Sequence, residues 1–160
     1  MASSIIARTR YCIIAVGLCV GFYYYFAPNI YTAVEIVTLT CVGLIGILSF
    51  FSHVVFHKSD ARRLGIDPGQ PTFQFEVGFA NLAIGIMTLV VFFANWGIIP
   101  QAVILGCYSL YLFQALILHI RRYVTGEHRT ATYLWFSIIA SAVYVGMMVF
   151  FAVAGITSTV

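Results

Sequence analysis

Two histidines stand four residues apart in "FSHVVFHKSDARRLG" (51–65), where an apolar run meets a cluster of positive charge. Histidine can ligate a metal, titrate near neutral pH, or sit as a polar anchor at a membrane surface. On a continuous helix His53 and His57 would share one face. His119 ends a later apolar run and is again followed by arginines. A transition metal could be held by inward His and Glu side chains on facing helices, with Glu76 approaching the pair. A haem would need histidines from two helices, such as His53 or His57 with His119. The pattern is thin for either cofactor, because an isolated H-x3-H lacks the HExxH pairing and a second carboxylate at that depth. The same histidines, with Glu35 and Glu76, could instead titrate along a proton or ion path. Glu35 also fits a simpler role, a carboxylate in the first turns of a helix and favoured by its N-terminus. Glu76 invites a structural ion pair with Lys58, Arg62 or Arg122.

These residues lie in a chain of 160 residues that is 62% hydrophobic and 8% charged, with a mean hydropathy of +1.00. A soluble domain carries about 25% charged residues, so the composition is that of a membrane protein. The net charge of +3 is spread over loops and makes no basic stripe for nucleic acid. Cys12, Cys19, Cys41 and Cys107 lie within apolar runs without a CxxC pair, which argues for reduced, membrane-embedded thiols. Arg8 and Arg10 precede an apolar stretch as in a signal peptide, but no small-x-small cleavage site follows, and the segment reads as a retained span.

The elements that must position the histidines and carboxylates are therefore transmembrane helices. Pro, Gly, Asn and charge clusters delimit five spans, at about 5–26, 31–57, 73–95, 101–120 and 132–156. The expected fold is an all-α polytopic bundle forming a single transmembrane domain, 1–160. All eight cations fall at alternate ends: Arg8 and Arg10; Lys58, Arg62 and Arg63; Arg121, Arg122 and Arg129. The positive-inside bias then places the N-terminus in the cytoplasm and the C-terminus outside. Within the basic loop, Ser59 is expected to cap a short surface helix that Gly65 ends. Asp67-Pro68-Gly69 reads as a turn, and Thr72 as the cap of span three.

Polar and small residues recur on particular helix faces. In span two, Glu35, Thr38, Gly46, Ser49, His53 and His57 fall on one narrow stripe at roughly 100° per residue. Span three carries Gln74, Gly78, Asn81, Gly85 and Thr88 on one face, with Glu76 pointing away from it. Thr38, Gly46, Ser49 and the span-three residues fit close helix packing. In span four Gln114 shares a side with Cys107, while span five presents Tyr133, Ser137, Ser141 and Tyr144. So many polar faces suggest a homo-oligomer or a subunit of a larger membrane assembly.

Spans three and five share "VFFANWGI" (91–98) and "VFFAVAGI" (149–156), and Phe51–His57 aligns with Phe113–His119. A duplicated helical hairpin would explain both likenesses. No catalytic triad order, Gly-x-Ser-x-Gly, P-loop or dinucleotide fingerprint occurs, and the loops are too short for a soluble active site.

The stretch "LGIDPGQPTFQFEVGFANLAIG", following Arg63, resembles a signature of an uncharacterised family of small bacterial integral-membrane proteins. The resemblance implies a bacterial cytoplasmic membrane as the location, and it implies no activity. The leading expectation is a non-enzymatic structural or accessory subunit in the lipid bilayer, in a homo-oligomer or with other membrane subunits, where it could line a pore or ion path. A haem- or metal-binding redox protein and a small proton- or ion-coupled transporter are the alternatives.

Overall fold

A computed structural model describes residues 2–64, 69 and 71–159. It contains six helices and no strand among the described residues: α1 (Ala2–Phe26), α2 (Ile30–Val55), α3 (His57–Leu64), α4 (Thr72–Phe93), α5 (Ile98–Val124) and α6 (Ala131–Thr157). All but the short α3 are long and apolar enough to cross a membrane. The five long helices agree with the five expected spans, with shifted ends. The second span stops at Val55 rather than near 57, because Phe56 leaves helical geometry (φ −106°, ψ 27°) and His57 begins α3.

Helix starts follow from local chemistry. Asn29 caps α2 by accepting from the Thr32 N–H (3.2 Å), and Thr130 caps α6 by accepting from that of Tyr133 (3.2 Å). Two expected caps are corrected. Ser59 lies inside α3, which begins at His57, and Pro71 rather than Thr72 holds the cap position of α4. Proline's fixed φ suits entry into a helix, and its missing N–H costs nothing there. Of the expected loop features, Gly65, Asp67 and Pro68 lie outside the described residues. Between α4 and α5 the chain reverses within four residues, through Asn95 (φ 53°) and Gly97 (φ 93°). The left-handed backbone at Gly97 is one that a side chain resists.

Helix α2 is the central element. Half of its most apolar stretch is buried, against 17–28% for the other four long helices. Helix α1 packs along it on one side and α4 on another, while α5 and α6 pair with each other and close against it. One buried cluster joins Leu18 of α1, Val37, Cys41 and Val42 of α2, Leu105 and Tyr108 of α5, and Met148 and Phe151 of α6.

At the α2–α4 crossing backbone meets backbone. A Cβ on Gly46 would lie 2.6 Å from the Asn81 carbonyl oxygen and 3.1 Å from Gly85 Cα. Helix α2 is also interrupted by two π-helical stretches, Leu39–Leu44 and Phe51–Val55. Each shifts the angular phase of the downstream side chains away from that of a straight α-helix. Cys41, in the first of them, accepts the Tyr144 hydroxyl of α6 at its backbone carbonyl (2.5 Å).

Candidate functional site

The second π-turn and the break at Phe56 fold α3 back against the end of α2, and there a carboxylate is enclosed. Asp60 has no exposed surface. Its Oδ1 accepts from Ser52 Oγ (2.9 Å), Ser3 Oγ (3.0 Å) and Arg63 Nη2 (2.7 Å). Its Oδ2 accepts from His53 Nδ1 (2.8 Å), with Gln74 Nε2 at a long 3.5 Å. An ionised carboxylate only accepts, so Nδ1 of His53 carries the proton in this contact. Arg63 Nε also donates to Ser3 Oγ (2.9 Å), which closes a ring of Ser3, Asp60 and Arg63.

Electrostatics follow from this geometry. Burial by itself would raise the Asp60 pKa. The hydrogen bonds from His53 and Arg63, and their positive charge, outweigh it and hold the carboxyl well below the usual carboxylate range. The carboxylate is thus charged at neutral pH and its oxygens are occupied by donors from α1, α2, α3 and α4. Such a group is poorly suited to attack a substrate or accept a proton from one. It is well suited to tie the end of α1, the α2–α3 elbow and the start of α4 together.

The three candidate histidines are not brought to one centre. His53 is committed to Asp60; the ring of His57 contacts the Val54 carbonyl (Nδ1, 3.1 Å) and meets Phe75 edge-on. His119 contacts the Tyr133 hydroxyl through Nδ1 (2.7 Å), in a neighbourhood where His128 stacks on Tyr133 and Arg122 pairs with Glu127 (3.2 Å). The shared face expected of His53 and His57 is corrected, because the helix breaks between them at Phe56. Among the described residues, no three His, Cys, Asp or Glu side chains gather in a way that could hold a metal ion.

Glu76 is exposed on α4 and pairs with none of Lys58, Arg62 or Arg122, which corrects the expected ion pair. Glu35 is half-buried in the second turn of α2, and its side chain bonds to no described residue.

The polar packing residues are placed inside the chain itself. Thr38, Gly46 and Ser49 of α2 are buried, as are Gln74, Gly78, Asn81, Gly85 and Thr88 of α4. Their hydroxyls spend their donors on the preceding turn: Thr38 on the Val34 carbonyl (2.7 Å), Ser49 on that of Ile45 (2.7 Å), Thr88 on that of Ile84 (2.9 Å). Asn81 instead reaches across the bundle. Its Oδ1 accepts from Tyr108 (2.9 Å), and its Nδ2 donates to the Tyr111 hydroxyl (3.1 Å) and the Val77 carbonyl (2.7 Å). One chain buries these faces of α2 and α4, so they do not by themselves call for a second copy, whereas Cys107 and Gln114 of α5 stay exposed.

Sequence reasoning missed Ser3, Ser52, Asp60 and Arg63 as members of one site. The available signal was an acid inside a basic loop with an arginine three residues on, a helical i,i+3 pair. Comparison with curated proteins, and with solved structures, returns no match. The sequence model of DUF6790, a family of unknown function, spans residues 11–157, and the chain belongs to that family.

Proposed function

We propose that this chain is a non-enzymatic multi-pass membrane protein that works as a structural or accessory subunit of a homo-oligomer or larger membrane complex. The distribution of its cations favours an N-terminus in the cytoplasm, and the resemblance carried by "LGIDPGQPTFQFEVGFANLAIG" favours the cytoplasmic membrane of a bacterium. One observation carries the subunit reading. Gln114 is exposed near the middle of α5, on a helix long and apolar enough to span the bilayer, with no hydrogen-bond partner among the described residues. A primary amide facing hydrocarbon is costly, and a neighbouring polypeptide relieves that cost. The enclosed Asp60 supports a non-enzymatic role, since its oxygens serve the fold. Sizing of the purified protein in lipid nanodiscs tests the reading. An assembly larger than one chain, or a copurifying partner, is expected, and a lone monomer would overturn it.

A small proton- or ion-coupled transporter is the second reading, favoured by the half-buried Glu35, whose side chain has no partner among the described residues. It requires a pH-dependent flux in proteoliposomes that Glu35→Gln or His53→Ala alters. Flux unchanged in both variants would remove it.

A further inference from the structure

Helix α5 has two distinct sides. Gln101, Ala102, Leu105, Tyr108, Ser109 and Leu116 are buried in the bundle. On another side, Val103, Cys107, Leu110, Gln114, Ile117 and Arg121 are all exposed. Their spacing is four, three, four, three, four, the heptad spacing that keeps one seam facing a partner helix. Gln114 is the uncharged polar member. It lies three residues from Tyr111, the middle of Ile98–Val124, so about 4.5 Å along the axis from the helix centre. Arg121 lies two turns further on, where its long side chain can leave the seam for the headgroups.

We propose that this seam is the contact between two copies of the chain, with Gln114 paired to its own counterpart across a two-fold axis. The inference rests on the subunit reading and names its partner. Every copy inserts with the same orientation, so a two-fold axis relating two copies runs along the membrane normal, and α5 meets α5 in parallel. A seam residue then faces itself. For most polar side chains self-contact is useless or repulsive, but a primary amide carries both a donor and an acceptor. Two Gln114 side chains therefore satisfy one another, and the remainder of the seam is apolar up to Arg121. A single polar residue in an apolar seam also fixes register, since any slip leaves both amides without partners.

The test uses the full chain in nanodiscs and liposomes, with native Cys107 as a reporter two turns from Gln114 on the same seam. In a variant whose only cysteine is Cys107, mild oxidation is expected to give a disulfide-linked dimer. A variant keeping only Cys12, exposed on α1, is expected to stay uncrosslinked. Gln114→Leu sits on an exposed face and leaves the bundle interior untouched. It is expected to weaken dimerisation in lipid roughly tenfold and to suppress the Cys107 crosslink. Gln114→Asn, which keeps the amide, is expected to retain part of the dimer. An oligomer that survives Gln114→Leu without Cys107 crosslinking would overturn the seam and leave the subunit reading standing. A monomer in every variant with no copurifying partner would overturn both. Crosslinking of Cys107 to a different protein would overturn the choice of a second copy.

Discussion

His53 Nδ1 and Asp60 Oδ2 lie 2.8 Å apart across the break at Phe56, so a residue in the last turn of α2 holds the first turn of α3. The π-turn at Phe51–Val55 closes with the Phe56 N–H on the Phe51 carbonyl (2.9 Å), and the Asp60 N–H then returns to the Phe56 carbonyl (3.0 Å). The elbow is thus defined by backbone bonds on both sides and by one carboxylate at its inner corner. Removing that carboxylate leaves Ser3 and Ser52 buried without their acceptor, and takes it also from His53 and part of Arg63, which still reaches solvent. Asp60→Ala is expected to lower stability by about 3 kcal/mol, the scale for stripping one partner from a buried charged group. Asp60→Asn, which keeps an acceptor oxygen, should lose less. Denaturation of nanodisc-embedded protein measures both, and an Asp60→Ala variant as stable as the parent would refute this role.

The depressed pKa of Asp60 sets the sign of a pH effect. A carboxyl whose folded pKa lies below its unfolded value binds fewer protons when folded. Its stabilisation is therefore complete above the unfolded value of about 3.9 and is lost as pH falls below it. Among the described residues, the charged or titratable groups facing it are His53 and Arg63. Melting temperatures of the parent and Asp60→Asn should therefore differ clearly at about pH 5, with the parent the higher. The gap should narrow as pH falls below about 3.9. A gap that does not narrow at all between about pH 4 and about pH 2 would contradict the assignment.

How much of this was legible in the sequence differs between residues. The five helices were, because each apolar run exceeds the bilayer thickness and each is bounded by Pro, Gly, Asn or charge. The polar face of α4 was too, since Gln74, Gly78, Asn81, Gly85 and Thr88 recur at the helical period and α4 has no interruption. On α2 the same period misled. Extrapolation at a constant angle carried His57 onto the stripe, whereas two π-stretches and the break at Phe56 change the phase. No residue type in "LTCVGL" or "FSHVV" announces a π-turn. Asp60 was missed for a related reason: a carboxylate among arginines suggests a solvated helix, and only the elbow turns it inward. The Tyr108–Asn81–Tyr111 bridge was invisible because periodicity reports which side of a helix is buried and not which helix it meets.

Gly46 and Gly146 offer a contrast in which the same substitution has opposite signs. A Cβ on Gly46 would meet the backbone of α4, which cannot yield without separating the helices. Gly46→Ala is expected to cost about 2 kcal/mol, as overpacking of a tight core does. A Cβ on Gly146 would meet nothing within 4 Å. Alanine is the better helix former, so Gly146→Ala should be neutral or stabilising by up to about 1 kcal/mol. Equal effects at the two sites in a denaturation series would refute the close α2–α4 contact.

Asn81 and Gln101 are both buried primary amides, 3% and 2% exposed, yet their circumstances are opposed. Asn81 is matched on both its oxygen and its nitrogen, and Tyr108, itself 1% exposed, relies on it as an acceptor. Gln101, in the first turn of α5, has neither its nitrogen nor its oxygen bonded to any group among the described residues. Leaving a buried hydroxyl unpaired costs about 1–3 kcal/mol, so Asn81→Leu should destabilise by that amount. Replacing an amide that bonds to nothing removes a desolvation cost instead. Gln101→Leu, close in volume, is expected to be neutral or to stabilise by about 1 kcal/mol. The pair is read by comparing the two leucine variants in one denaturation experiment. A Gln101→Leu protein as unstable as Asn81→Leu would mean that the Gln101 amide has a bonding partner in the membrane, such as a buried water held at the N-terminal end of α5.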